Sequence, residues 1–301
     1  MQTSPNLTRF AWLSIGAAIL TIGLKLGAYF LTNSVGMLSD ALESLVNLAT
    51  AIVALFALRI AVRPADEEFS FGYSKVEYFS SGFEGGMILL AAGSIAATAI
   101  PRLIHPQPVE QVGFGMAVSV VASLINLGVA RILSQAGKHY GSITLTADSR
   151  HLMTDVITTG GVLIGVILVV LTGWHRLDPI IALLVAANIL FTGFSLLRHA
   201  VLGLMDAALP EADLQVIQSV LSPYDKEGVK FHALRTRAAA SRGFISMHVL
   251  VPGDWTVHRA HQLAEQIENE LRQKTPNAAV FTHIEPQEDL ISSKDTSLDQ
   301  E

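Results

Sequence analysis

His151 and Asp155 stand four residues apart in Asp-Ser-Arg-His-Leu-Met-Thr-Asp (Asp148–Asp155), at the mouth of a long apolar stretch. That spacing puts both side chains on one helix face, one turn above the other. Earlier in the chain the layout is the same in Asp-Ala-Leu-Glu-Ser-Leu-Val-Asn (Asp40–Asn47). In each, an Asp (Asp40, Asp148) is followed three residues on by a ligand-type residue (Glu43, His151) and four further on by another (Asn47, Asp155). Brought together, the two turns offer two carboxylates, an imidazole and an amide oxygen. Four such donors suffice for tetrahedral Zn²⁺ and are hard enough for Fe²⁺, Co²⁺ or Mn²⁺. Two carboxylates also neutralise a dication where the dielectric is low. The imidazole (ordinary pKa ~6.5) and the Glu43 carboxyl (~4.3) bind protons with the same atoms, so metal and H⁺ compete for one place.

The elements that must position these residues lie in lipid. Of 301 residues, 50% are hydrophobic and only 15% charged, well short of the ~25% charged that a soluble domain carries. There is no cysteine, which excludes disulfides and thiolate metal sites. The net charge of −6 gives no reason to expect nucleic acid. Residues 1–8 are short and polar, without the pattern of a signal peptide.

Crossing ~30 Å of hydrocarbon takes roughly 20 helical residues. Six stretches qualify: 10–32, 37–62, 78–100, 112–134, 143–172 and 178–200. Breaks at Thr32–Ser34, Pro64–Glu68, Pro101–Pro108, Gly137–His139 and Trp174–Pro179 separate them. Arg9, Arg59, Arg63, Lys75, Arg131, Lys138 and Arg198 flank one side and Arg102 and Arg176 the other. The positive-inside rule then places both termini in the cytoplasm of a multi-pass plasma (inner) membrane protein.

In that topology the second helix runs inward and the fifth outward. Glu43–Asn47 begin roughly 9–15 Å from the outer end of one, and His151–Asp155 roughly 12–18 Å from the inner end of the other. The two pairs approach the midplane from opposite sides. Depth argues against the bland alternative, charged groups snorkelling near helix ends. An ionisable residue inside a membrane helix costs several kcal/mol and needs a partner or a function.

From Pro210 the chain reads as a soluble domain. Residues 211–223 and 256–274 have helical periodicity; 230–237, 244–251 and 278–283 read as short strands. The order α-β-β-α-β suggests an α+β layer with helices on one face of a small sheet. The predicted domains are 1–206 in the membrane and 207–288 in the cytoplasm, with a disordered polar tail at 289–301.

These features resemble the cation diffusion facilitator family, proton-coupled exporters of divalent metal with six spans and a cytoplasmic metallochaperone-like domain. The likeness covers about residues 10–286. It rests on the paired helix motifs, on Ser-Val-Gly-Met-Leu at 34–38, on Ser-Phe-Gly-Tyr-Ser-Lys-Val-Glu at 70–77 and on Leu-Met-Asp at 204–206. The resemblance implies a transport site at Glu43, Asn47, His151 and Asp155, with Asp40 and Asp148 behind it or lining the path.

His151 and Asp155 match the family pattern. Glu43 and Asn47 depart from its usual His or Asp followed by Asp, which makes the site less acidic. Some bacterial relatives bind metal in the loop after the second span through an Asp and two His. Here Asp66 remains but Phe69 and Tyr73 stand at the His positions, so that site is expected to be missing.

In the soluble domain the resemblance implies a binuclear metal site at a homodimer interface, on His232, His248, His261, His283 and Glu285. His258 lacks that support, and surface histidines are the plain alternative for any one of the set. Lys75 and Asp206 fall where the family interlocks spans and soluble domain; a solvated Lys and a helix-end Asp are the alternative.

The expectation is a Zn²⁺:H⁺ antiporter in the bilayer, with Fe²⁺, Cd²⁺, Co²⁺ and Mn²⁺ as further candidate cargoes. A membrane-anchored metal sensor is the competing reading, and an anchor would not need intramembrane Asp, Glu and His. A primary pump is excluded by the missing phosphate loop, and a metallopeptidase by the missing His-Glu-x-x-His.

Overall fold

The computed structural model describes residues 7–32, 35–105, 113–174, 176–226, 228–290 and 292. At 29, 31–32, 35–43, 114–115, 162–163, 166, 170, 178 and 226 it describes the backbone alone. The side chains of Asp40 and Glu43, and most of the 289–301 tail, therefore lie outside the described residues. The chain divides into two units, Met1–Val201 and Leu202–Glu301.

Among the described residues, six helices make up the first unit, the last ending three residues past its boundary: α1 (Thr8–Thr32), α2 (Val35–Ala61), α3 (Val76–Ile104), α4 (Phe114–Tyr140), α5 (Ile143–Thr172) and α6 (Leu177–Leu204). Among the described residues, α1, α2, α3, α4 and α6 contain stretches long and apolar enough to cross a membrane. α5, at 30 residues the longest, carries Asp148, Arg150, His151 and Asp155 in its first half. Large apolar side chains such as Phe30, Leu90, Leu171, Phe191 and Phe194 are exposed, as helices facing lipid require.

Two helix boundaries differ from the expected breaks. α3 continues through Pro101 to Ile104; a proline there removes only one bond near the helix end. α4 continues through Gly137–His139 and stops at Gly141, whose φ of 65° supplies the left-handed C-cap. α5 begins at once, capped by the Ser142 hydroxyl on the Leu145 amide.

Two buried clusters organise the unit. Ala11 and Ile15 of α1, Leu55 and Leu58 of α2, Leu133 of α4 and Leu152 of α5 form one. Ile88 and Ala92 of α3, Ala147 of α5, and Ile189 and Leu196 of α6 form the other. The Gly82/Gly86 pair suggests close packing from the sequence; Gly82 does face α6, 3.6 Å from the Ala200 side chain for an added Cβ, while Gly86 does not, and the closest approach is at Gly85. A Cβ added there would lie 3.1 Å from the Leu197 amide and 3.2 Å from the Gly193 carbonyl.

The second unit runs α7 (Glu211–Lys226), β1 (Lys230–Ala239), β2 (Arg242–Val251), α8 (Val257–Lys274), β3 (Ala278–Pro286), the α-β-β-α-β order read from the sequence. The strands pair as β1-β2-β3, with β1 antiparallel and β3 parallel to β2. α8 is the crossover that parallel pairing needs. Ile245, Met247, Val249 and Val251 alternate along β2 and pack with Ile217, Val220 and Leu221 of α7 and Ala260, Ile267 and Leu271 of α8. Both helices thus cover one sheet face, and by the two-residue period His248 points to the other.

Candidate metal centres

Asn47 joins α2 to α5. It lies three residues before Thr50, whose hydroxyl bonds the Asn47 carbonyl oxygen at 2.9 Å. His151 Nε2 lies 2.7 Å from Asn47 Oδ1, and the Asn47 amide nitrogen donates to Asp155 Oδ2. Asp155 as a carboxylate only accepts, so it fixes the amide orientation and makes Nε2 the protonated nitrogen of His151. Asn47 and His151 are each 3% exposed, Asp155 is half-buried, and His151 Nδ1 has no hydrogen-bond partner.

The structure therefore brings together three of the four residues picked from the sequence as the transport set: Asn47, His151 and Asp155. Glu43, the fourth, is one helical turn before Asn47 on the α2 backbone, and its side chain is outside the described residues, as is that of Asp40. Asp148, one turn before His151, is buried.

A residue not singled out from the sequence joins the cluster. Asn126 of α4, 3% exposed, donates to Asp155 Oδ2 at 3.4 Å. A lone polar residue inside an apolar helix was its only signal.

α5 is held in place at its N-terminus. The buried Glu77 carboxylate accepts from the Ser142 hydroxyl at 2.5 Å and from the Thr144 amide at 3.2 Å. It stands where the helix dipole and the free N–H groups favour an anion.

In the loop between α2 and α3, Asp66 is fully engaged within the loop. It accepts from the Tyr73 hydroxyl at 2.5 Å and from the amides of Phe69 and Glu68 at 2.8 and 3.1 Å. The Tyr73 phenol, with the Phe69 amide, holds the Asp66 carboxyl below its ordinary range. The same bond raises the Tyr73 phenol.

In the second unit a donor cluster sits on the sheet face away from the helices. His232 and His248 are opposite each other across β1 and β2, and His248 pairs in register with His283 on β3. Glu285 Oε2 lies 2.9 Å from His232 Nε2, and its Oε1 lies 3.1 Å from His248 Nδ1 and 3.7 Å from His283 Nε2. Ligand atoms of His232, His248 and Glu285 all fall within 4.8 Å of one another.

A β-bulge between His232 and Arg235, with Ala233 at φ 49°, sets the His232 end of β1. His261 is exposed on α8, and His258 is next to Gln262, 3.1 Å away. Both stand on a helix that packs against the opposite sheet face, so they do not join the three. Asp206, at φ 58°, accepts from Arg237 at 3.3 Å; Lys75 directly precedes α3 and belongs to the other unit.

Comparison with known proteins covers nearly the whole chain. A family model of the cation efflux transmembrane domain matches residues 11–205, and one of the cation efflux protein cytoplasmic domain matches residues 209–287. The uncharacterized transporter sll1263 of Synechocystis is 55% identical over 93% of this chain and 90% of its own. The cation-efflux pump FieF of Salmonella arizonae is 30% identical over 93% of each. A solved chain of the putative zinc transporter CzrB is 32% identical over 26% of this chain and 98% of its own, with a TM-score of 0.25.

Proposed function

The chain belongs to the cation diffusion facilitator family, a family of multi-pass membrane transporters rather than enzymes, and from that premise we propose that it exports Zn²⁺ or a similar divalent ion in exchange for protons. The observation that carries this reading is the meeting of Asn47, His151 and Asp155 within the membrane unit.

One imidazole nitrogen, one amide oxygen and one carboxylate are linked in a row through Asn47, and Glu43 precedes Asn47 by one turn of α2 in the proposed ligand set. A metal ion that takes His151 Nε2 must displace the proton which that nitrogen now donates to Asn47. A proton arriving at His151 or Asp155 removes a ligand and weakens the hold on the ion. Loading and release then alternate as the site opens to one side and the other.

The seven-to-two distribution of flanking Lys and Arg supports cytoplasmic termini in the inner membrane. Export then runs from the side of the soluble unit. There, His232, His248 and Glu285 fit a metal by donor type and convergence. His283 stands beside them, and His261, exposed on α8, is free to be offered to a second subunit. Metal on this face would add its binding energy to the stability of a homodimer. Lys75 and Asp206 are retained as proposed functional residues at the membrane–cytoplasm border, and Asp148 and Asp40 as residues of the path.

The test is transport of Zn²⁺, Fe²⁺, Cd²⁺, Co²⁺ and Mn²⁺, one at a time, into proteoliposomes containing the full chain, with His151→Ala beside it. The expected result is uptake of Zn²⁺ that vanishes in His151→Ala. Uptake undiminished by that substitution contradicts the site.

A further inference from the structure

Glu84 lies inside α3 and has no part in the cluster described above. It is 0% exposed, and neither of its carboxylate oxygens has a hydrogen-bond partner. Asp148 on α5 is 1% exposed; Ser14 of α1 is close to it, and neither carboxylate oxygen makes a hydrogen bond of good geometry.

The two acids lie on helices that share one seam. α3 packs on α5. Ile88, one turn beyond Glu84, and Ala147, beside Asp148, belong to one buried cluster. Ser81, one turn before Glu84 on the same face, and its neighbour Ser80 are also buried with unpartnered hydroxyls.

Several other charged or titratable groups on the surrounding helices have places of their own. Arg150 points to the exposed side of α5. His151 and Asp155 are tied to Asn47, and Glu77 to the start of α5. Arg59 lies in the last turn of α2, and Arg198 and His199 near the end of α6. Lys25 is buried further along α1. Among the described residues, none of them hydrogen-bonds to Glu84 or Asp148.

Two ionised carboxylates buried in one seam without a cation cost several kcal/mol each. One proton taken up by either acid removes a charge from the seam and leaves an O–H that can donate. A hard metal ion would need more. Mg²⁺ asks for six near-octahedral ligands and Ca²⁺ for six to eight oxygens, whereas this seam offers two carboxylates and a few hydroxyls against packed Ile88 and Ala147.

We propose that the buried acids Glu84 and Asp148 carry one proton, as a proton site of the membrane unit separate from Asn47, His151 and Asp155. Its place suits the counter-ion. Glu84 stands ~12 Å along α3 and Asp148 ~7.5 Å along α5, and both helices start on the proposed cytoplasmic side. The pair thus lies at or below the depth of His151, on the way by which an inward-moving proton leaves. The role in coupling rests on the exchange reading above; the proton itself does not.

Infrared difference spectroscopy of the full chain in lipid, in H₂O and D₂O without metal, reads the proton directly. The wild type is expected to show the carbonyl stretch of a protonated carboxyl, shifted by deuteration. Glu84→Gln and Asp148→Asn should each lose it, and Asp155→Asn should keep it. Glu84→Asp, which retains the acid, should keep the band at a shifted position, and it carries the test if the amide variants do not fold. In proteoliposomes Glu84→Gln should lower the number of protons returned per metal ion.

Absence of the band in the wild type at the pH of transport overturns the proposal, as does a band unchanged in Glu84→Gln. Erasure of the band by Zn²⁺ in Asp155→Asn also overturns it, since the pair would then be a cation site. Metal flux without proton counterflow in the wild type, with the band present, instead sinks the exchange reading and leaves the proton site standing.

Discussion

Asn47→Asp restores the second carboxylate that the family pattern places on α2, and its consequence can be worked from the hydrogen bonds. The Asn47 amide now donates to Asp155 and accepts from His151 Nε2. A carboxylate in its place has no N–H to give, so two carboxylates face one another and one must take up a proton to restore the bond. That proton has to leave when a dication binds. One extra proton released per metal ion changes the apparent affinity by a further factor of about ten per pH unit, or about 1.4 kcal/mol.

The assay is equilibrium Zn²⁺ binding to the full chain in lipid nanodiscs across the neutral range. His232→Ala and Glu285→Ala are present in both proteins, so that the membrane site alone reports. The plot of log Kd against pH should steepen by about one relative to the Asn47 protein, with tighter binding at the alkaline end. Parallel plots with equal affinity would refute the placement of Asn47 at the ion.

Other outcomes follow from single contacts. Glu285→Ala removes the oxygens that His232 and His248 approach. The stabilisation of the full chain by Zn²⁺, about 2.7 kcal/mol at a hundredfold excess over Kd, should largely disappear from its thermal unfolding curve; an unchanged metal-induced shift contradicts the site. Glu77→Ala should cost roughly the 0.5–2 kcal/mol of a lost N-cap, read by unfolding in mixed micelles. Glu77→Gln keeps an acceptor for Ser142 and Thr144 and should cost less; equal losses would remove the capping role.

Because the Asp66 carboxyl is held below its ordinary value by Tyr73, the contribution of that bond is complete above pH ~4 and lost as pH falls through the lowered value. The raised Tyr73 phenol gives the converse: the contribution is complete below pH ~10 and lost as pH rises through the raised value. Tyr73→Phe should return Asp66 toward the usual carboxylate range in a ¹³C NMR titration, and an unmoved Asp66 contradicts the pairing.

Much of the fold was legible because each unit obeys one strong pattern. Apolar runs marked the spans, and alternation with turn residues marked the α-β-β-α-β order. The boundaries that moved did so where a breaker was read too literally: Pro101 is tolerated at a helix end, and Gly137 inside α4 admits Thr146 of α5 closely.

At the candidate site, four-residue spacing was enough to pick out His151 with Asp155. Asn126 escaped because a neutral amide in an apolar helix has no periodic partner, and its role comes only from the packing of α4 on α5. Glu84 had a legible signal, an acid within a span, but Asp148, on the helix packed against its own, is far off in sequence. The soluble cluster shows the same limit: strand register assembles His232, His248 and Glu285, while His261 lies on an element that cannot reach them within one subunit.

The central claim is that one metal ion and protons exchange on the atoms of Asn47, His151 and Asp155. Simultaneous recording of Zn²⁺ uptake and internal pH in proteoliposomes, with the wild type and Asp155→Ala side by side, tests it most directly. The account predicts Zn²⁺ flux with proton counterflow in the wild type and loss of both in a folded Asp155→Ala protein. Coupled flux persisting in Asp155→Ala would contradict it.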